Sequence, residues 1–195
     1  MTNLVLFVLP NPRLADPLMY FPLGVLYLAA VARKTGYSVK IMDFRMGVDV
    51  EAIPESEFYG FSATTPEIVV AKKLASKVKG YTIIGGAHAT LLPEDCVNDF
   101  DWVVRGEGEI GLPRILDGLI PQGIVNMPRI TNLDMLPLPA WDLTEHPFSK
   151  TLFPGERYGK SELAATIIGS RGCPFNCHFC ANPLRTPVVY RSVDN

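Results

Sequence analysis

Three thiols crowded between Cys173 and Cys180, in the run Cys173-Pro174-Phe175-Asn176-Cys177-His178-Phe179-Cys180, are the residues of this chain whose type and spacing specify a chemistry most narrowly. A CxxxCxxC array can wrap three corners of an iron–sulfur cube (4Fe-4S), because cysteine thiolates are the usual protein ligands of such clusters. The fourth iron would keep an open position for a small molecule. Other chemistries fit less well. A structural zinc site closes with four ligands, usually as two pairs roughly a dozen or more residues apart, and there is no second pair here. His178 adjoins Cys177, while His88 and His146 lie far away in sequence. Disulfides also lack partners, since Cys96 is the sole remaining cysteine and nothing points to export into an oxidising compartment. Zinc and plain redox thiols stand as the alternatives.

Something must hold that array, and the upstream sequence supplies a sheet. Residues 1–126 alternate short apolar, β-branched runs with longer helix-like segments, the pattern of a parallel α/β sheet with helices on both faces. The runs are Leu4 to Leu9, Ser38 to Asp43, Phe58 to Ser62, Tyr81 to Gly85 and Asp101 to Arg105, with a weaker one near Ile124. Pro22 to Lys34 reads as a helix, with proline at its start and Gly36 just past its end. Pro66 to Lys79 repeats that grammar: Thr64-Thr65-Pro66-Glu67 matches a capping box, and Gly80 supplies the stop. A third helix is expected from Glu109 to Leu119.

In open α/β sheets ligands bind outside the carboxyl ends of the strands. The first strand is followed by Asn11-Pro12-Arg13 and not by a glycine-rich dinucleotide turn; the chain has no P-loop signature and no acidic pair of a phospho-receiver domain. What stands at the strand ends is Asp43-Phe44-Arg45, Ser62-Ala63-Thr64 and Gly85-Gly86-Ala87-His88. In this order and at these places the residues resemble the cobalamin-binding domain, which often carries Asp-x-His-x-x-Gly, Ser-x-Leu and Gly-Gly there. The resemblance implies a flavodoxin-like doubly wound sheet in which Ser62, Thr64, Gly85, Gly86 and Ala87 admit the nucleotide tail of cobalamin, where any β-carbon would obstruct it. The corrin ring would lie across the strand ends.

Arg45 stands where the family's cobalt-ligating histidine would fall, and a guanidinium stays protonated and offers no lone pair to a metal. His88 is not at that position. This departure resembles the branch of the family fused to radical S-adenosylmethionine (radical SAM) domains, and it argues against a mutase or a methionine-synthase-type module. Plainer uses exist for each residue: Thr64 can cap a helix, Ser62 can end a strand, and Gly85-Gly86 can turn the chain. In Arg105-Gly106-Glu107-Gly108-Glu109 two uses stay open. Gly106 and its neighbours can admit the corrin edge, or Glu107 and Glu109 can sit at the positive end of a helix.

Over nearly its whole length the chain is similar to cobalamin-dependent radical SAM proteins, through Pro22-Leu23-Gly24, Gly85 to Thr90, Arg105 to Glu109, Leu136-Pro137-Leu138-Pro139-Ala140-Trp141-Asp142 and the cysteine loop. The resemblance implies that Cys173, Cys177 and Cys180 ligate a 4Fe-4S cluster, with S-adenosylmethionine at the open iron. It also implies that Phe179 packs beside the adenine; ordinary packing that excludes water is the alternative for Phe179. In that family the cluster's electron releases a 5'-deoxyadenosyl radical and cobalamin commonly carries a methyl group, while the protein holds and shields the cofactors. The implied function is a cobalamin-dependent radical SAM enzyme of methyl-transferring type, or its N-terminal part, with a small-molecule substrate. The alternatives are a non-catalytic cobalamin-binding module and a zinc-stabilised flavodoxin-like interaction domain.

Residues 127–160 change to a proline-rich texture and read as a linker, one in which Leu133, Leu136, Leu138, Trp141 and Phe148 are apolar enough to lie against a surface. Residues 161–195 read as the leading fragment of a radical SAM domain. Leu163 to Ile168 is expected to be the first strand of a partial (β/α) barrel, leading through Gly169-Ser170-Arg171-Gly172 into the cysteine loop, and Arg191-Ser192-Val193 resembles the start of the continuation. The expectation is therefore a truncated, split or designed chain, completed by a complementing barrel chain where split, with an unpaired first strand. With 195 residues, 48% of them hydrophobic, the chain can bury a core, and a formal net charge of -2 gives no footprint for nucleic acid or an anionic membrane. Leu4 to Leu9 lacks a basic leader and ends at Pro10, and Leu23 to Ala32 is shorter than the ~20 residues of a membrane span. A cytoplasmic setting with reduced thiols is expected, with neither nucleic acid nor membrane as partner.

Overall fold

A computed structural model of the chain describes residues 3–14, 18, 21–47, 49–144, 166–175, 177–180 and 187–193. Its centre is a 6-stranded parallel sheet of β1 (Leu4–Val8), β2 (Val39–Asp43), β3 (Phe58–Ser62), β4 (Tyr81–Gly85), β5 (Trp102–Arg105) and β6 (Gly123–Asn126), in the order β2-β1-β3-β4-β5-β6. The register sets Val8 opposite Asp43, Ser62 opposite Gly85 and Arg105 opposite Asn126, so the carboxyl ends finish along one edge.

Parallel strands covered on both faces read as continuous apolar runs, and β1, LVLFV, is buried at every position. Its side chains alternate between two cores. Val5 and Phe7 pack with Ile68, Ala71 and Leu74 of α2 (Ile68–Ala75) and Ala89 of α3 (Gly86–Leu91). Leu4, Leu6 and Val8 pack with Val25 and Ala29 of α1 (Leu23–Lys34) and with Leu112 and Ile115 of α4 (Gly108–Leu116). The expected strands and the first helix are thus in place, and the weak sixth strand forms.

Three helical expectations shift. The segment expected from Pro66 to Lys79 opens as a 3-10 turn, Thr65–Glu67, and is α-helical over Ile68–Ala75. Glu67 Oε2 accepts the Thr64 N–H at 2.7 Å, one half of the capping box read from the sequence. α4 begins and ends earlier than Glu109 to Leu119 and carries Pro113 inside it, where the ring removes a donor. The short α3 was not expected, because Gly85-Gly86 reads as a turn; Gly86, at φ +91°, makes the turn and the helix starts at once.

The proline-rich segment does lie against a surface. Ile130, Leu133 and Leu136 are buried with Leu23, Leu26, Tyr27 and Val31 of α1, and Trp141 meets Phe21 edge-on at 5.6 Å. Leu138 differs from expectation and faces solvent. Residues 145–165, with His146 and Phe148, fall outside the described residues.

Of the strand expected at Leu163 to Ile168, residues 163–165 lie outside the described residues and Thr166 to Ile168 is irregular; just after it stands β7 (Ser170–Arg171), paired antiparallel with β8 (Val189–Tyr190). Arg191 N–H donates to Gly169 O at 2.8 Å and prolongs the pairing, so the strand has a partner where an open edge was expected. Among the described residues there is no partial barrel. Among them, too, no helix is long and apolar enough to cross a membrane.

Candidate functional site

From β1 the chain crosses to β2 on one side and then places β3 on the other, so the carboxyl ends of β1 and β3 diverge around a crevice. A cup of about 410 Å³ occupies it, lined by Leu9 and Asn11 after β1, by Ser62, Ala63 and Thr64 after β3, and by Ala87 of α3. Gly24, Val25 and Ser62 belong both to this cup and to a narrower slot of about 160 Å³. The slot runs between the sheet and helices α1 and α4, and Gly60, Gly85, Gly86, Gly106 and Gly108 wall it together with Glu109.

These glycines do different work. A Cβ built at Gly24 would meet nothing within 4 Å, and one at Gly85 nothing closer than Val104 O at 3.8 Å, so both leave wall open that a side chain could fill. Gly86 instead lies against its own chain: a Cβ there would stand 2.8 Å from Ala63 N and O, at φ +91°. Gly106, at φ +92°, would strike Met127 O at 2.6 Å. Gly24 and Gly85 thus leave bare backbone along the slot, where a flat ligand could lie against the chain.

Of the residues expected at the site, Ser62, Thr64, Gly85, Gly86, Ala87 and Gly106 line the cup or the slot. Arg45 does not. It is buried in a 3-10 turn after β2 and is gripped by Asp43, whose Oδ1 accepts from Nε at 2.9 Å and whose Oδ2 accepts from Nη2 at 2.6 Å. His88 is also turned away, held between Thr65 Oγ1 at 3.2 Å and Asp95 Oδ2 at 2.9 Å. Hydrogen bonds from His88 and Lys72 hold the Asp95 carboxyl below the usual carboxylate range. Gly24 and Gly60 also line these cavities without having been expected as site residues; a glycine inside an apolar run was the available signal for each, while Gly108 belongs to the Arg105–Glu109 run already singled out.

Glu107 does not line either cavity but has a partner from another part of the chain. Arg171, on β7, donates to Glu107 Oε2 at 2.6 Å and to Glu109 Oε1 at 2.5 Å, and its guanidinium lies over the Tyr27 ring. Burial pushes the Glu107 carboxyl up, against the pull of Arg171. Burial would lower Arg171, but Glu109 and Glu107 together hold it above its ordinary range. The two uses left open by sequence are thereby joined by a third: the acidic pair anchors the hairpin that leads to the cysteines.

Cys173, Cys177 and Cys180 are free thiols, the first half-buried and the others exposed, and Cys180 N–H donates to Cys177 O at 3.1 Å in a tight turn. The donor set suits three thiolate corners of a cluster. Among the described residues no three His, Cys, Asp or Glu side chains converge as a metal site, so the thiols are near in sequence without being gathered. Phe179 is almost fully exposed beside them. Cys96 is apart from this group, buried in the core, where burial pushes its thiol up.

Residues 17–116 match the model of the B12 binding domain, a span that holds β2 to β5 and the cup and slot residues from Phe21 to Leu112. The chain belongs to the B12-binding domain family. Within the matched span lie Ser62, Thr64, Gly85, Gly86, Ala87 and Gly106, which line the cup and the slot. An uncharacterized methyltransferase of Pyrococcus horikoshii is 30% identical, aligned over 84% of this chain and 41% of the relative. The hopanoid C-3 methylase of Methylococcus capsulatus is 29% identical over 85% of this chain and 38% of its own. The bacteriochlorophyllide d C-8(2)-methyltransferase of Chlorobaculum tepidum is 25% identical, over 91% and 39%. The chain thus spans about two fifths of the length of these curated relatives.

Proposed function

We propose that this B12-binding chain is the cobalamin-holding and cluster-loop portion of a cytoplasmic, cobalamin-dependent radical SAM methyltransferase acting on a small-molecule substrate. The observation that carries the reading is a glycine-walled slot opening into the switch-point cup, on a polypeptide that also carries three free thiols in a CxxxCxxC loop. Ser62, Thr64 and Ala87 would seat the corrin side of cobalamin at the cup, and Gly24 and Gly85 would leave the slot wall bare for its tail. Arg45, folded onto Asp43, and His88, held by Asp95, offer the cup no imidazole ligand. Cys173, Cys177 and Cys180 would hold a 4Fe-4S cluster with S-adenosylmethionine at its open iron, and Phe179 would cover the adenine. Bound together, these cofactors supply radical generation and methyl delivery. Ile167, Phe175 and Tyr190 stand exposed around the loop, a surface that the remainder of a radical SAM barrel, in the same polypeptide or a complementing chain, would cover.

Anaerobic reconstitution with iron and sulfide, read by visible and electron paramagnetic resonance spectra, tests this. A four-iron signal that disappears in Cys173→Ala is expected. A signal that survives that substitution, or stoichiometric zinc with no cobalamin, contradicts the proposal. One observation favours a second reading, a cobalamin-binding module without catalysis: the thiols do not converge among the described residues. Cobalamin retention with no cluster under reconstitution would select it.

A further inference from the structure

We infer that Arg171 is a positioning residue that latches the cysteine hairpin onto the wall of the cobalamin slot, so that the placement of the loop and the occupancy of the slot are linked. Its guanidinium is shared between Glu107 and Glu109 and lies 5.5 Å from the centre of the Tyr27 ring. All three partners belong to elements that build the slot: Tyr27 to α1, Glu107 to the cap of α4, and Glu109 to the first turn of α4. Glu109 itself lines the slot. The hairpin reaches Glu109 through Arg171, and a ligand in the slot would lie against the same residue.

The contact is largely withdrawn from water, with the side chains of Arg171, Glu107 and Glu109 only 18%, 15% and 8% exposed. Removing one member of such a group strands a charge on the others, which makes the latch directional and hard to replace. Two carboxylates and an aromatic face also suit a planar fork and not a point charge, so lysine is a poor substitute. Two further hydrogen bonds of the hairpin lead elsewhere: Arg129 Nη2 donates to Arg171 O at 2.9 Å, and Ser192 N–H to Asp134 Oδ1 at 2.9 Å. Those fix it to the proline-rich segment. Ile168 and Val189 pack against the α1 cluster, and Arg171 adds the ion pairs to the slot wall just before Cys173, where the loop begins. Where a ligand in the slot and the hairpin both restrain Glu109, each stabilises the position of the other by the same free energy.

The inference rests on the proposed function only in taking residues 173–180 as a cluster loop, and its test needs no iron. Amide hydrogen exchange is followed across the hairpin, residues 166–175 and 187–193, in the whole chain with and without hydroxocobalamin. Arg171→Met is expected to speed exchange there about tenfold while β1 and β4 stay protected, and Arg171→Lys to restore part of the protection. Hydroxocobalamin should slow hairpin exchange in the wild type and leave it unchanged in Arg171→Met. Glu109→Gln, with circular dichroism as the fold check, serves as the second variant. Unchanged hairpin exchange in Arg171→Met, collapse of the whole sheet in both Arg171→Met and Glu109→Gln, or a wild-type hairpin indifferent to bound hydroxocobalamin overturns the latch. A folded wild type that binds no hydroxocobalamin contradicts the proposed function instead, while the contrast between wild type and Arg171→Met still decides the latch.

Discussion

Neighbouring glycines at one strand end divide the work of folding and binding. Gly86 is demanded by the chain itself, because φ +91° and the approach to Ala63 leave no room for a β-carbon. Gly86→Ala should therefore cost roughly 1–3 kcal/mol of stability, visible as a lower denaturation midpoint. Gly85 has extended backbone, φ -141°, and an open wall before it, so the fold tolerates a side chain there and a ligand would not. Glu107 carries a pH signature. Its folded pKa is raised by burial, so its contribution to stability is present below the unfolded carboxylate range and is lost as pH rises through the folded value. Glu107→Gln should accordingly flatten the fall in stability across that window, as followed by thermal melts over a pH series. Ser62, Gly85 and Gly86 were legible in the sequence only as a set, because each alone has a plainer use at a strand end while their order along the strands singles them out. Arg45 was legible as a missing ligand, but its grip on Asp43 was not, since nothing local distinguishes a side chain that turns back from one that reaches out.

At the scale of elements, the strands were the easiest to read, since β1 to β5 are apolar runs with punctuation at both ends. Helix lengths were harder. α2 loses its first turn to the 3-10 geometry that Pro66 and the Glu67 cap impose, and α3 follows a glycine pair that signals only a turn. The hairpin of β7 and β8 was not legible because its pairing joins distant segments, and the arginine that anchors it meets its partners some sixty positions away, at |i−j| of 64 and 62. α2, α3 and the turn after α3 are tied by Lys72, His88 and Asp95. The Asp95 pKa is lowered, so its contribution is present above the unfolded value and is lost as pH falls through the folded one. Asp95→Asn should lower stability at neutral pH, and the gap to wild type should close as acid titrates the wild-type carboxylate. A gap constant with pH would contradict that tie.

Over the whole molecule, a doubly wound sheet presents a cup and a slot, and a short hairpin carrying the thiols is clasped to the slot's wall. The B12-binding match spans β2 to β5, while the cysteine loop lies beyond it. Cobalamin binding should therefore depend on the slot glycines and be indifferent to the thiols: alanine at Cys173, Cys177 and Cys180 together should leave hydroxocobalamin affinity unchanged in a calorimetric titration. The most direct test fills the slot while sparing the fold, by titrating hydroxocobalamin into wild type, Gly24→Leu and Gly85→Val, each checked by its unfolding curve. Folded variants that bind at least about tenfold more weakly than wild type, a loss of about 1.4 kcal/mol, are the predicted result. Wild-type affinity in both folded variants would contradict the assignment of the slot as the cobalamin site.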